Sequence, residues 1–356
     1  MPAETVGALS ILNEFYAEAN LDKNIKWIFV LSKPNLEETD NVSILRFPWI
    51  KKSWVHRFYF DNVIAPQLVK KYKIDSVLSF QNIIIPHVKV NQILYVHNAL
   101  PFIDHKFSFF QNRNLWIYQN IISRKIIKSI KQANNVLVQT EWMKKACVDK
   151  TNVNQQKVEV VYPKINVEIK KNFEPNNNAF STFFYPASEF IYKNHKIIVE
   201  ACKKLKEENI SDFIVLFTLH GNENAHISAL YEEVQYHQLP IKFVGNLTRN
   251  EVFDLYTKSV LLFPSYIETF GLPLLEGKLH KEIVIASDSP FSHEILDGYE
   301  NAYFFNPFDV SELIAIMKKI LRNEIKYVHV RNIENTSKSL AGVVKGMIKK
   351  NNSLSL

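Results

Sequence analysis

Only two cysteines, Cys147 and Cys202, occur among the 356 residues. That count excludes a disulfide framework and a cysteine-built zinc cluster, and it fits a reducing, cytoplasmic setting. Long apolar runs are also missing: stretches such as 82-QNIIIPHV-89 stay far below the roughly 18 residues needed to cross a bilayer. Any membrane contact is therefore expected to be peripheral, on the inner face of the cell membrane. The opening MPAETVGALSILNEFYAEAN has no basic flank ahead of its apolar residues and reads as an amphipathic helix, not as a secretory signal. No self-similar period on the order of 20 to 50 residues is visible, which sets solenoids and propellers aside. Charge of one sign is barely in excess, 43 Lys and Arg against 36 Asp and Glu for a net +7. Such a surplus permits an acidic surface or an anionic ligand and is too small to imply nucleic acid.

What is present is the balance of a soluble globular protein, 47% hydrophobic and 22% charged, on a chain long enough for two cores. After the opening helix come short β-rich runs, KWIFVLS, NVSILRF, DSVLSF, QILYVHN and NVLVQT, separated by segments of helical period. The run 157-KVEVVYP-163 closes this block, and KNFEPNNNAFS (171–181) reads as a linker of polar turn-formers. Alternation then restarts with FFYPA (183–187), a helix over 193–208 and FIVLFTL (213–219). A helix near 226–237, IKFVG, a helix over 249–259 and VLLFPS follow. A helix from about Leu272, EIVIAS and a helix from about Val310 complete the second block. The fold class is α/β, two Rossmann-like domains with a cleft between them as the ligand site. The expected divisions are an N-terminal domain over 1–168, a linker over 169–182, a C-terminal domain over 183–325 and a helical segment over 326–356 that packs back on the first domain. One piece is missing from this pattern. Doubly wound domains open with a strand and a Gly-containing turn, whereas here helix 1 starts almost at Met1, with Gly7 where the turn should be. Either that strand lies upstream of this start or the sheet lacks a central member.

The run ETFGLPLLE (268–276) places two carboxylates, Glu268 and Glu276, around Gly271 and Pro273. Pro273 suits the first turn of a helix, and Gly271 before it lets the backbone turn. The N–H groups at such a helix mouth make a site for phosphate. Glu276, one turn in, leans back toward a ligand held there, where a carboxylate accepts from two neighbouring hydroxyls of a sugar. Glu268 could do the same for a second sugar. The pattern also fits plain helix chemistry: Ser265 and Glu268 match an S-x-x-E capping box, and the helix dipole favours an acid such as Glu276 near its start.

The run FVGNLTRNEVFDLYTKSVLLFPSYIETFGLPLLEG, followed by IVIASDSPFSHEIL and NAYFFNPFD, resembles the donor-binding half of glycosyltransferase family 4, of GT-B fold. With YPASEFIYKNHKIIVEA the resemblance covers most of 183–320, and the family's E-x7-E signature falls on Glu268 and Glu276. The first half matches more loosely through YVHNALPF and VLVQTEWMKKA. The resemblance implies that Glu276 holds the ribose of a nucleotide-sugar and Glu268 contacts the transferred sugar. Backbone amides over Thr269, Phe270, Gly271 and Leu272 would face that sugar and the diphosphate. Lys193 would neutralise the leaving diphosphate, and His97 would take the family's His position facing the cleft. A lysine at a helix start or a lone His after a strand also has a plainly structural reading. Three departures stand out. Ser188 replaces a common arginine, Lys281 to Val284 replace the usual G-x-P-V, and Val6-Gly7 stand where many members have paired glycines against the donor.

No D-x-D motif occurs, so no metal and no other cofactor is expected, and Lys193 with the helix-mouth amides would meet the diphosphate charge. The implied activity is retaining transfer of a hexose from a UDP- or GDP-sugar to a glycan or lipid-linked saccharide in surface polysaccharide assembly. A GT-B epimerase or hydrolase, or an inactive relative acting as a binding partner, are the alternatives. Two basic, aromatic stretches, 47–60 and 115–131, could lie on an anionic membrane. For the second, a core-facing helix with a solvated basic edge fits equally.

Overall fold

The computed structural model describes residues 6–33, 35–110, 112–164, 169–330 and 338–353. The chain divides into two compact units, residues 1–164 with 336–356, and residues 165–335.

In the first unit, α1 (Val6–Leu21) leads to the parallel pair β1 (Trp27–Leu31) and β2 (Val42–Arg46). Next come α2 (Trp54–Tyr59), a π-helical turn and α3 (Ala65–Lys71), which follow one another without a break. Then β3 (Ser76–Ser79), β4 (Asn91–Tyr95), α4 (Arg113–Ile117), α5 (Ser123–Gln132), β5 (Asn135–Val138), α6 (Glu141–Thr151) and β6 (Val158–Val160) follow. The strands form two separate parallel sheets, β1-β2 and β3-β4-β5-β6. Local chemistry sets the helix starts: Asn112 caps α4 by accepting from Leu115 N (3.0 Å), and Thr140 caps α6 through Met143 N (3.4 Å).

The second unit starts with α7 (Asn177–Phe180) and β7 (Thr182–Tyr185), then α8 (His195–Glu207), β8 (Ile214–Phe217), α9 (Ala225–Tyr236) and β9 (Ile241–Phe243). It continues through α10 (Arg249–Tyr256), β10 (Val260–Phe263), α11 (Leu272–Leu279), β11 (Val284–Ser287), α12 (Pro290–Ile295), β12 (Ala302–Phe305) and α13 (Val310–Leu321). Its six strands form one parallel sheet in the order β12-β11-β10-β7-β8-β9, the doubly wound arrangement. Central strands β10 and β11 are buried along their whole length, as apolar runs covered by helices on both faces must be.

The last helix, α14 (Leu340–Ser353), belongs to the first unit. Leu340, Ala341 and Val344 join Leu12, Phe15 and Ala19 of α1 and Phe29, Ile93 and Tyr95 of the strands in one core. Ser339 bonds the Glu18 carboxylate, and Lys345 pairs with Asp22 at 3.2 Å.

Two sequence expectations change. The segment taken as a linker, 169–182, is packed: Phe173 is buried, its N–H bonds His280 O (2.7 Å), and Glu174 N bonds Thr257 O (2.9 Å). Its aromatic residues outweigh the polar turn-formers around them. Strand β12 and helix α12 complete the second sheet from a stretch read only as a motif. The split of the first sheet falls between β1 and β3, and α1 is the first described element.

Candidate functional site

The site is built at the ends of two neighbouring strands of the second unit, β7 and β10. After β7 the chain makes a 3-10 turn over Ile191–Lys193 and starts α8 with Asn194 in the left-handed region (φ 60°). Asn tolerates that conformation, and its amide is tied to Pro307 O at 2.7 Å. Lys193 is held from behind, because the fully buried Tyr185 donates to its carbonyl at 2.6 Å. Its Nζ forms an ion pair with Glu268 Oε1.

Glu268 lies between β10 and α11. Besides Lys193 it accepts from Ser265 Oγ at 2.7 Å. Ser265 therefore fixes a carboxylate and does not cap a helix. The capping-box alternative fails, because α11 starts at Leu272 with Gly271 as its N-cap and no side-chain cap bond. Gly271 sits at φ 94°, where a Cβ is strained, and one placed there would approach Leu274 Cδ1 to 3.3 Å. Phe270 is buried, so only its backbone is available to a ligand. Pro273 lacks an N–H, and Leu274 N turns back to Gly271 O at 2.9 Å. The mouth of α11 is thus a tight, preset turn over Thr269, Phe270, Gly271 and Leu272.

Glu276, the other acid, lies on α11. Tyr256 OH donates to its Oε2 at 3.0 Å, and Arg249 Nη2 lies 3.5 Å from Oε1. Burial raises its pKa above the ordinary carboxylate value, while Tyr256 and Arg249 pull the other way. Tyr256 and Arg249 were not anticipated. They come from α10, where Tyr256 reads as one more apolar residue of the helix, and only the packing of α10 beside α11 reveals the contact.

Ser188, half-buried beyond the end of β7, supplies no positive charge. His195, the first residue of α8, is buried between Tyr185 and Phe217, with ring centroids at 4.8 and 5.0 Å. Neither ring nitrogen has a partner among the described residues, and burial, helped by the Lys193 charge, pushes its pKa down to about 3.

The other two sequence candidates lie in the first unit. Gly7 is in the first turn of α1. His97 follows β4; its backbone N–H bonds Asn82 Oδ1 at 2.7 Å, and Asn82 Nδ2 lies 3.4 Å from its Nε2. Burial lowers its pKa to about 4, so the ring is neutral at physiological pH, with Nδ1 unpartnered among the described residues.

The basic, aromatic stretches of this unit behave differently from each other. In α5, Ile126 and Ile130 enter the core while Arg124, Lys125, Lys128 and Lys131 stay at the surface, so the core-facing reading holds there. On α2, Trp54, Val55, Phe58 and Tyr59 are exposed. Lys125 Nζ lies 5.2 Å from the Phe58 ring centre, and Trp54 meets Tyr118 at 6.3 Å. Exposed aromatic rings and lysines therefore share one surface.

With two carboxylates, a paired lysine and a glycine-set helix mouth at one sheet end, the sequence relations become informative. Residues 166–338 match the family model of glycosyl transferases group 1. The chain is 28% identical over 235 residues to the O-antigen chain mannosyltransferase RfbU of Salmonella typhimurium, 65% of this chain and 61% of that one. It thus spans about three fifths of that relative's length. Among solved structures, Anabaena HepE with UDP and glucose aligns at a TM-score of 0.64 and 13% identity, covering 97% of this chain and 91% of that one. WaaG, a glycosyltransferase involved in lipopolysaccharide biosynthesis, also aligns at 0.64 and 13%, covering 89% and 87%. The fold is GT-B, and the glycosyl transferases group 1 segment takes in Lys193, Glu268 and Glu276 and nearly all of the second unit.

Proposed function

We propose that this protein is a retaining, metal-independent glycosyltransferase that moves a hexose from a nucleotide-sugar, UDP- or GDP-linked, to a glycan or lipid-linked saccharide in surface polysaccharide assembly. The observation that carries the reading is the pairing of Lys193 with Glu268 beside the Gly271 turn, with Glu276 one turn further along α11. A cation, an acid and a helix mouth held close together are the groups that transfer of an activated sugar needs, which supports the reading. The RfbU relative and the group 1 match support the class of reaction.

In this mechanism Glu276 accepts from the ribose hydroxyls, with Tyr256 and Arg249 orienting it. Glu268 accepts from hydroxyls of the transferred hexose. The bond between anomeric carbon and phosphate oxygen breaks, and its electrons leave with the nucleoside diphosphate, whose charge Lys193 and the α11 mouth stabilise. The acceptor hydroxyl oxygen bonds the anomeric carbon from the same face, and its proton passes to the departing phosphate. His97, neutral, has its ring Nδ1 without a partner among the described residues and can donate or accept one hydrogen bond there. The exposed aromatic surface of α2, edged by Lys125, is the element proposed to rest on an anionic membrane.

Binding of a panel of UDP-, GDP- and other nucleotide-sugars by calorimetry, followed by product analysis with and without saccharide acceptors, tests the reading. One donor should bind, with loss of binding in Glu276→Ala, and transfer should survive a chelator. Free sugar released without acceptor product would replace transferase by hydrolase, and no donor binding would end the proposal.

A further inference from the structure

In the six-stranded sheet of the second unit the strand order reverses at one point, between β7 and β10. From β7 the crossovers run outward through α8 and α9 to β9, and from β10 they run the other way through α11 and α12 to β12. Right-handed crossovers in opposite directions put α8 and α9 on one face of the sheet and α11 and α12 on the other. Helix α13 packs against α8, with Lys318 paired to Glu208 at the end of α8, and so belongs to the α8 face. The Lys193–Glu268 pair stands at the reversal point, whereas Glu276, proposed to hold the ribose, lies on α11.

On the α8 side the pair is bordered by aromatic rings that nucleotide binding does not account for. Phe190 and Tyr192 lead into Lys193 and lie stacked, ring centres 5.3 Å apart and planes 4° from parallel. Tyr266, on the loop that carries Glu268, meets Phe308, just ahead of α13, at 5.1 Å. The loops are laced together: Tyr266 N bonds Tyr192 O at 3.2 Å, and the Asn194 amide, bonded to Pro307 O at 2.7 Å, holds the Phe308 loop against the start of α8. The Tyr192 ring centre lies 5.9 Å from Lys193 Nζ, so the rings reach up to the charged pair. Phe308 is 64% exposed and Phe190 41%. A single exposed ring needs no explanation, but two pairs of rings on joined loops beside a polar centre mark a ligand surface.

We propose that Phe190, Tyr192, Tyr266 and Phe308 form a platform that holds a sugar ring of the saccharide acceptor, next to the hexose to be transferred. The inference rests on the proposed transferase reading and adds to it the face of the second unit that the acceptor uses. Three features select this occupant. The C–H face of a hexose carries slight positive charge and lies flat on the negative face of an aromatic ring, while its hydroxyls point sideways to water. A protein partner needs more surface: each ring can bury roughly 150–250 Å² and is here only partly open, so the set falls short of the roughly 1,000 Å² of a stable interface. The nucleoside, which is also flat, is drawn to the α11 face by Glu276. Ribose at α11, hexose at Glu268 and acceptor at the rings then follow one another across the end of the sheet.

The test titrates the full chain, its Phe and Tyr rings isotope-labelled for NMR, with the methyl α-glycosides of mannose, glucose and galactose and, separately, with UDP and GDP. At least one hexoside at millimolar concentration should shift the Phe308 and Tyr266 ring signals saturably, and should still do so with a nucleotide-sugar bound. Phe308→Ala, at an exposed position outside the core, should weaken that hexoside by about tenfold, Phe308→Tyr should restore it, and nucleotide binding should be unchanged in both. Rings unmoved by all three hexosides would overturn the proposal and, with a nucleotide-sugar still binding, leave the transferase reading in place. Rings moved by UDP or GDP and not by hexosides, or a hexoside displaced by the bound nucleotide-sugar, would also overturn it, by giving the platform to the base or to the donor's own hexose. Saturable hexoside shifts in a protein that binds no nucleotide-sugar would support the sugar platform and end the transferase reading, so the two failures are told apart.

Discussion

At the scale of single residues, the site separates two roles that substitutions can tell apart. Glu268→Gln keeps size and the Ser265 bond but loses the charge that pairs with Lys193. Turnover should fall about 10²–10³-fold, in the range for removing one stabilising polar contact, with melting nearly unchanged. Normal turnover by product assay would remove Glu268 from the site. Tyr256→Phe acts on Glu276 from behind. That carboxyl is already raised above its usual range by burial, and the Tyr256 bond restrains the rise. Without it the group should protonate at higher pH, so donor binding, which needs the ionised form, should fail at a higher pH than in the parent. Calorimetric titration across pH reads this as an upward move of the acid limb, and Tyr256→Phe with an unmoved limb would show that the bond has no such effect.

At the scale of elements, strands and helices of both units were legible because apolar runs and helical periods are strong and regularly spaced. Glu268 and Glu276 stand out in the sequence by spacing and type, whereas Lys193 is picked out only by the family resemblance. What pairs with what was not legible. Ser265 reads as a cap until α11 is seen to begin at Leu272, and Tyr256 reads as core until α10 packs beside α11. Such contacts depend on tertiary placement that no local window encodes. The α11 start rests on Gly271 at φ 94°. Gly271→Ala should cost about 1–3 kcal/mol through backbone strain, lowering the melting temperature and weakening donor binding together. The α8 start yields an acid-sensitivity prediction. His195 has a folded pKa of about 3 against an ordinary 6.5, so between these values the unfolded chain binds a proton that the folded one refuses. Stability from this group is complete above pH 6.5 and declines as pH falls, by about 1.4 kcal/mol per pH unit. In denaturant titrations His195→Phe should flatten that decline by close to one proton; an unchanged slope would place the acid sensitivity elsewhere.

For the whole molecule, two tandem α/β units follow from the alternation of periods, yet the first unit is not continuous in sequence, because α14 returns to it after the second unit is complete. That return was an expectation for the segment 326–356, and what decides it is whether the apolar stripe of α14 finds a partner: Leu340, Ala341 and Val344 share one core with Leu12, Phe15 and Ala19 of α1. Each unit has its own buried core, so damage should stay where it is made. Deleting residues 340–353 uncovers Leu12, Phe15 and Ala19, and Phe15→Ala removes the ring that joins both sheets of the unit, at about 3–5 kcal/mol for a buried Phe. Either change should speed amide exchange in β1, β3 and β4 while β7, β8, β10 and β11 keep the protection of the parent. Exchange followed by mass spectrometry resolves the two sets of strands directly. Equal loss of protection in both sets would mean that the molecule melts as a single cooperative body and that the second unit does not stand on its own core.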